Sequence, residues 1–338
     1  MKHAIRLVRG ILVAAVLIIV PSGPGSAHHS PAQYEQHEVI EKTATVVRFD
    51  FRNPHSYILV RDSDDAEWVL ETSSAVRLRR NGWSADLFSP GDNISFSALA
   101  NKNPQKNRLY LNSITASTGE TYALRDDEDE SPDSGPVAVA SSLAGIWQVD
   151  TKNFGEVFAG FERHPLTDKA RQAQEAYDES MDPVADCIAY PTPQLVFVSF
   201  IYPMRIQIAD ESVTFHHEFF NTKRTVDLSG SGHPANTPRT NQGHSTGHWD
   251  GDTLVVDTRY FADHRNPMLG DFPSGADKHV IERYTLSDDG TYATAAMYVD
   301  DPEYLEEPLK YELILRYAPY VDIQDFDCDP EIARRFTE

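Results

Sequence analysis

The sequence predicts a mainly β protein made of two closed units in tandem, a small barrel followed by a larger antiparallel one. Three observations predict it. Short runs of β-branched and aromatic residues recur from about residue 38 onward, separated by Gly, Pro, Asn and Asp turn signals. A stretch at 125–141, containing DDEDESPDSGP, is too charged and too poor in apolar residues to fold, so it divides the chain. Asp250-Gly251 lies between two strand-like runs, the mark of a two-residue hairpin loop. With 338 residues and a hydrophobic fraction of 40%, the chain can build two cores.

Residues 1–27 read as an export signal. Lys2, Arg6 and Arg9 supply the positive start, Ile11–Val20 is an unbroken apolar run, and PSGPGSA ends in small residues suited to cleavage after Ala27. The apolar run is short for a membrane span. The expectation is a periplasmic or secreted protein, soluble in the envelope. The net charge of -22 becomes about -25 once those three cations are removed (-22 minus 3). Such a chain repels phosphate backbones, which argues against nucleic acid as a partner. The two cysteines, Cys187 and Cys328, are expected to pair in an oxidising compartment, and they lack the spacing of a thiolate metal site.

Cleavage after Ala27 makes His28 the new N-terminus. Its amine and imidazole, with His29, His37 or His55 as a further ligand, form a nitrogen set that suits copper. The plainer alternative is a polar, uncommitted start to the chain. The first domain, 28–124, offers strands at Val39–Phe51, Ser56–Arg61, Glu67–Glu71, Asn93–Leu99 and Arg108–Thr115. A helix, Ser74–Arg80, falls between the third and fourth, with Ser74 as N-cap and Gly82 as stop. That order is the one found in OB-like barrels. AHHS, RNPHSYI, WVLETSS, RRNGW and SPGD occur in this order. Together they resemble a family of small exported bacterial domains of uncharacterised function, whose pattern includes His28, His29 and His55.

The second domain, 142–338, opens with Gly145-Ile146-Trp147, a Gly-x-Trp strand that resembles the first strand of lipocalin-like barrels. A basic residue on the last strand, Arg316, is the candidate partner of that tryptophan. Strands are expected at Leu195–Phe200, Met204–Ala209, Val213–Phe220, Lys223–Leu228, Lys278–Leu286, Tyr292–Asp300 and Leu309–Ala318. One helix is expected after the N-cap Thr167. If Asp250-Gly251 forms the hairpin loop, Trp249 faces Asp252, Thr246 faces Val255 and His244 faces Asp257. Trp249, Leu254 and Val256 then share a core face, and His244, Thr246, His248 and Asp257 share the other.

His244 opposite Asp257 is the best pair for general-base chemistry or metal ligation, with Glu282 as an acid and Arg283 as an anion clamp. The plainer alternative is a cross-strand ion pair. Ser245 alternates away from His244. His217 shares a face with Val213 and Phe215, as a core or cavity histidine, while His216 and Glu218 read as a solvated pair. The elements GxW, PLT, a cysteine after DP, GHS-x-G-x-W-x-GDTLVVDT, H-x-x-ER and Asp300-Asp301-Pro302 resemble a second set of exported, uncharacterised bacterial proteins. Its pattern includes His244, Trp249, Gly251, Asp257, His279, Glu282 and Arg283.

No GxSxG elbow, P-loop, HExxH or dinucleotide fingerprint occurs. The expected function is therefore binding: an apolar small molecule in the second barrel, with His217, His279 and Arg283 as ligand contacts, and a metal ion at His28, His29 and His55. The alternative is a periplasmic enzyme of hydrolase or isomerase type using His244, Asp257 and Glu282.

Overall fold

A computed structural model describes residues 34–124, 137–263 and 272–334. Residues 1–27, the expected export signal, together with His28, His29 and most of the acidic stretch, lie outside them.

The first unit contains β1 (Tyr34–Asp50), β2 (Tyr57–Asp62), β3 (Glu67–Glu71), α1 (Ala75–Arg80), β4 (Asn93–Asn101), β5 (Arg108–Ala116) and a short β6 (Thr121–Ala123). The strand order is β3-β2-β1-β4-β5-β6, and a parallel β3–β5 pairing closes the first five strands into a barrel. One long strand serves two neighbours: Val39–Thr45 pair with β4, and Ala44–Asp50 pair with β2 across a bulge between Val46 and Arg48. Bulges let a strand bend sharply enough to close a small barrel. Ser74 caps α1 by accepting from the Arg77 amide at 3.4 Å, and Ala75, Val76 and Leu78 bury the inner face of the helix.

The second unit is a nine-stranded closed barrel. It comprises β7 (Gly145–Val149), β8 (Met204–Ala209), β9 (Ser212–His217), β10 (Lys223–Asp227), β11 (His244–Asp250), β12 (Thr253–Arg259), β13 (His279–Leu286), β14 (Tyr292–Asp300) and β15 (Leu309–Tyr317). Every pairing is antiparallel except β10 with β11, which is parallel. Gly145 has φ +141°, and a Cβ there would lie 2.5 Å from the Tyr317 ring, so the site needs glycine. Trp147 is fully buried, and its ring centroid lies 5.1 Å from that of Tyr317. Tyr317, and not Arg316, is therefore the last-strand partner; Arg316 pairs with Gln148.

Between β7 and β8 the chain forms α2 (Phe154–Arg163), α3 (Asp168–Glu175) and α4 (Gln194–Phe197), the last running into a 3₁₀ turn at Val198–Phe200. Thr167 caps α3 as expected, accepting from the Ala170 amide. The expected strand at Leu195–Phe200 is helical instead. A short apolar run does not distinguish a strand from a buried helix, and Gln194 to Ser199 are all buried. The helix α2 was not legible, although Val157 and Phe161, four apart, bury one face.

The hairpin is two residues out of the expected register. Asp250 pairs with Thr253, so the loop is Gly251-Asp252; Trp249 pairs with Leu254, Thr246 with Asp257 and His244 with Arg259. Gly251 (φ +61°) is the first loop residue, where a type II′ turn requires glycine. A two-residue slip preserves which face each side chain takes. Ser245, Leu254, Val256 and Thr258 point inward and are buried. Trp249 lies at the barrel rim with 41% of its surface exposed, outside the core.

Side chains fill the lumen of the second barrel. Phe215, Leu254, Val256, Tyr284, Leu313 and Leu315 have no exposed surface, external or internal. No described helix is long and apolar enough to cross a membrane.

The two barrels, divided in sequence by the acidic stretch, dock against each other. Arg80 of α1 pairs with Glu218, which is fully buried and not solvated as expected. Val76 joins Val184, Leu195, Tyr202, Phe219 and Phe326 in one apolar cluster. Cys187 and Cys328 form the expected disulfide, with Cα atoms 6.0 Å apart. It anchors the C-terminal tail beside the first barrel, where Asn53 bridges Cys328 and donates to the Asp327 carbonyl at 3.1 Å.

Candidate functional site

Where the barrels meet, a cleft of about 380 Å³ remains. The first barrel contributes Pro54, His55, Ser73, Ser74, Arg77 and Tyr110. The second contributes an apolar wall from α2, α4 and the following turn, with Phe158, Phe197, Val198, Phe200, Ile201 and Tyr202 prominent. Phe154 stacks on Phe197 behind that wall, with centroids 4.6 Å apart. The polar groups of this side are Asp182, Tyr190 and Gln194. The Tyr190 hydroxyl donates to Asp182 at 3.0 Å, and burial followed by the Asp182 charge holds its pKa well above the ordinary tyrosine value. Burial pushes Tyr202 up to about 12, so both phenols are neutral donors. An apolar cavity of this size with a few converging polar groups, at a domain interface, has the form of a small-molecule site. Two other grooves lie around Thr43–Thr45 with Asn93–Ser95, which has no aromatic lining, and around Tyr292 and Tyr317, where Asp150, Lys152, Glu312 and Arg316 make much of the wall charged.

His55 marks the polar end of the cleft. Its Nδ1 lies 2.8 Å from the Glu71 carboxylate, which is 2% exposed. The Tyr34 hydroxyl donates to Glu71 at 2.6 Å, and Arg108 Nε donates to it at 3.0 Å. A carboxylate with these donors is held as an acceptor, and the His55 ring lies against it. The sequence singled out His55 but not Glu71, Tyr34 or Arg108. Their meeting depends on the parallel β3–β5 closure, which sequence periodicity does not reveal.

A second cluster lies on the outer wall of the nine-stranded barrel. His244 and Asp257 are both there, but they are joined through His233, which the sequence reading missed. His233 comes from the loop between β10 and β11, which folds back across the wall. Its Nδ1 lies 2.9 Å from His244 Nδ1, and its Nε2 lies 3.0 Å from Asp257 Oδ1. His279 Nε2 lies 2.8 Å from Asp257 Oδ2, and Arg259 Nε donates to Oδ1 at 3.2 Å. Burial raises the Asp257 pKa, but the bonds from His279 and His233 outweigh it and hold it below the usual carboxylate value.

The other expected site residues separate from this cluster. Glu282 alternates to the inner face of β13 and lies fully buried in the lumen. There it pairs with Arg224 at 2.5 and 2.9 Å and accepts from the Tyr284 hydroxyl at 2.6 Å. It cannot reach His244 through the barrel wall. Arg283 is exposed and pairs with Asp250. His217 is sealed in the lumen, 3.5 Å from Ser199 Oγ, and burial followed by the Arg224 charge lowers its pKa well below 6.5. His37 is exposed on β1. Among the described residues, no group of three or more histidine, cysteine, aspartate and glutamate side chains is arranged to hold a metal ion.

Residues 16–110 match a model for a family of unknown function (DUF6152). The match takes in β1 to β4 and the start of β5, and so carries the cleft residue His55 and the buried Glu71 and Arg108 behind it. No curated protein matches the chain.

Proposed function

We propose that this is an exported binding protein that holds one apolar, partly aromatic small molecule in the cleft between its barrels. The observation that carries the reading is the cleft itself: about 380 Å³, walled by Phe158, Phe197 and Phe200 on one side and by His55 and Tyr110 on the other. Because inward side chains fill the lumen of the second barrel, the reading puts the ligand at the end of that barrel and not inside it. Export is supported by the pattern of residues 1–27 and, independently, by the Cys187–Cys328 disulfide, since such bonds persist in oxidising compartments. The experiment is native mass spectrometry of protein purified from the periplasm. One bound organic molecule per chain, released on unfolding, is the expected result. A bare chain, together with no saturable uptake of N-phenyl-1-naphthylamine, would count against it.

A second reading, metal binding by His55 with His28 and His29, is favoured by one geometry. A buried carboxylate lies 2.8 Å from the His55 ring, an arrangement shared with many metal-ligating histidines. Tyr34, six residues after His28, donates to that same carboxylate. A copper ion bound there would need the amine of a mature chain beginning at His28. One residue added before His28 should then abolish copper binding in a calorimetric titration, whereas unchanged affinity removes this reading.

A further inference from the structure

The outer-wall cluster has a proton logic that the cleft does not use. Asp257 only accepts hydrogen bonds, so His233 and His279 each present Nε2–H to it. His233 is left with Nδ1, which faces His244 Nδ1 at 2.9 Å. One proton must lie between those two nitrogens. In the neutral pair His233 Nδ1 is the acceptor, so His244 is the Nδ1–H tautomer and carries its lone pair on Nε2. When a proton arrives at His244 Nε2, the bridging proton can shift to His233. The charge then comes to rest beside Asp257, one ring away from where the proton entered.

We propose that His244 is the general base of an ester-hydrolysing site on this wall, positioned through His233 and Asp257, for esters that carry a negative charge. Arg259 lies directly across the strand pair from His244; its Nε bonds Asp257, and its half-exposed guanidinium is the recognition element for that charge. A water gives its proton to His244 Nε2 while its oxygen bonds to the acyl carbon. The ester C–O bond breaks, its electron pair leaves with the alcohol oxygen, and the imidazolium returns the proton to that oxygen. The groups facing the pair are His279 and Arg259 around Asp257, the Thr246 hydroxyl 3.4 Å from His233 Nε2, the Tyr260 ring, and Asp227, which acts on His244 from β10. Burial, then the neighbouring His233, holds His244 below 6.5, which leaves it unprotonated at neutral pH.

The test is hydrolysis of 4-nitrophenyl acetate and 4-nitrophenyl hemisuccinate by the full chain. We expect kcat/KM for the hemisuccinate to fall on the acid side of a single bend below neutral pH. His244→Ala should lose about 10²-fold or more, the usual contribution of a general base. Asp257→Asn should move the bend to lower pH, because the imidazolium loses its carboxylate. Arg259→Gln should erase the preference for the charged ester. Equal rates for the parent and His244→Ala, or a bend that stays in place in Asp257→Asn, overturn the proposal. The ring-nitrogen spectrum of the unaltered protein requires no variant to fold: a Nδ1–H tautomer at His244 supports the relay, and a Nε2–H tautomer overturns it.

Discussion

The two barrels contain nearly the same buried cluster. In the first, Glu71 is held by Arg108 and the Tyr34 hydroxyl. In the second, Glu282 is held by Arg224 and the Tyr284 hydroxyl. The difference lies in the next residue outward. Beyond Glu71 comes His55, on the wall of the cleft. Around Arg224 come the Ser245 and Thr258 hydroxyls, at 3.4 and 3.3 Å, all inside a filled lumen. Closely similar chemistry is thus set in different surroundings, one beside a cavity and the other inside a filled lumen. A buried ion pair is weak evidence of stabilisation, because desolvation offsets much of the attraction, but losing one partner strands a charge.

The largest effect expected from this contrast concerns the disulfide. Replacing Cys187 and Cys328 by Ser removes a link across 141 residues, which the chain-entropy model values at roughly 5 kcal/mol. Because the tail it anchors bears on Asn53, urea unfolding should show the loss together with weaker N-phenyl-1-naphthylamine binding. A stability loss with unchanged dye affinity would separate the tail from the cleft. Next come Arg108→Met and Arg224→Met, each expected to cost about 3–5 kcal/mol by stranding a glutamate. Only Arg108→Met should also change ligand affinity in the folded fraction. Equal affinity losses in both would erase the distinction drawn between the clusters.

A smaller effect is tied to pH. His217 is neutral in the folded chain, with its pKa well below 6.5 because of burial, while the unfolded chain binds a proton near 6.5. Unfolding therefore takes up a proton below 6.5, and stability should fall as pH drops from there, by up to about 1.4 kcal/mol per pH unit. In His217→Gln that component of the slope should vanish in a pH series of urea melts; an unaltered slope would show that other groups account for it.

Much of the fold was legible because local chemistry decided it. Ser74 and Thr167 were readable as caps, and β3 and β14 match their expected spans. The parity of the β11–β12 hairpin was readable from alternation, but its register was not: moving the loop from Asp250-Gly251 to Gly251-Asp252 is a choice of turn type that keeps every face the same. The same parity rule separates Glu282 from His279 and Arg283 on β13, so that error was avoidable. His233 was out of reach of pattern reading because a loop without periodicity carries it back over the wall. The cleft was equally hidden, since its two sides are far apart in the chain, and only docking of the barrels brings His55 near Phe197.

The most direct measurement fills the cleft without touching either ion pair. Ile201 lines the apolar side and is partly exposed, so Ile201→Trp should occupy the cavity with little change in stability. Titration with N-phenyl-1-naphthylamine should show one saturable site per parent chain and at least a tenfold loss of affinity in Ile201→Trp. Equal affinity in the two proteins would contradict the claim that the space between the barrels is the binding site.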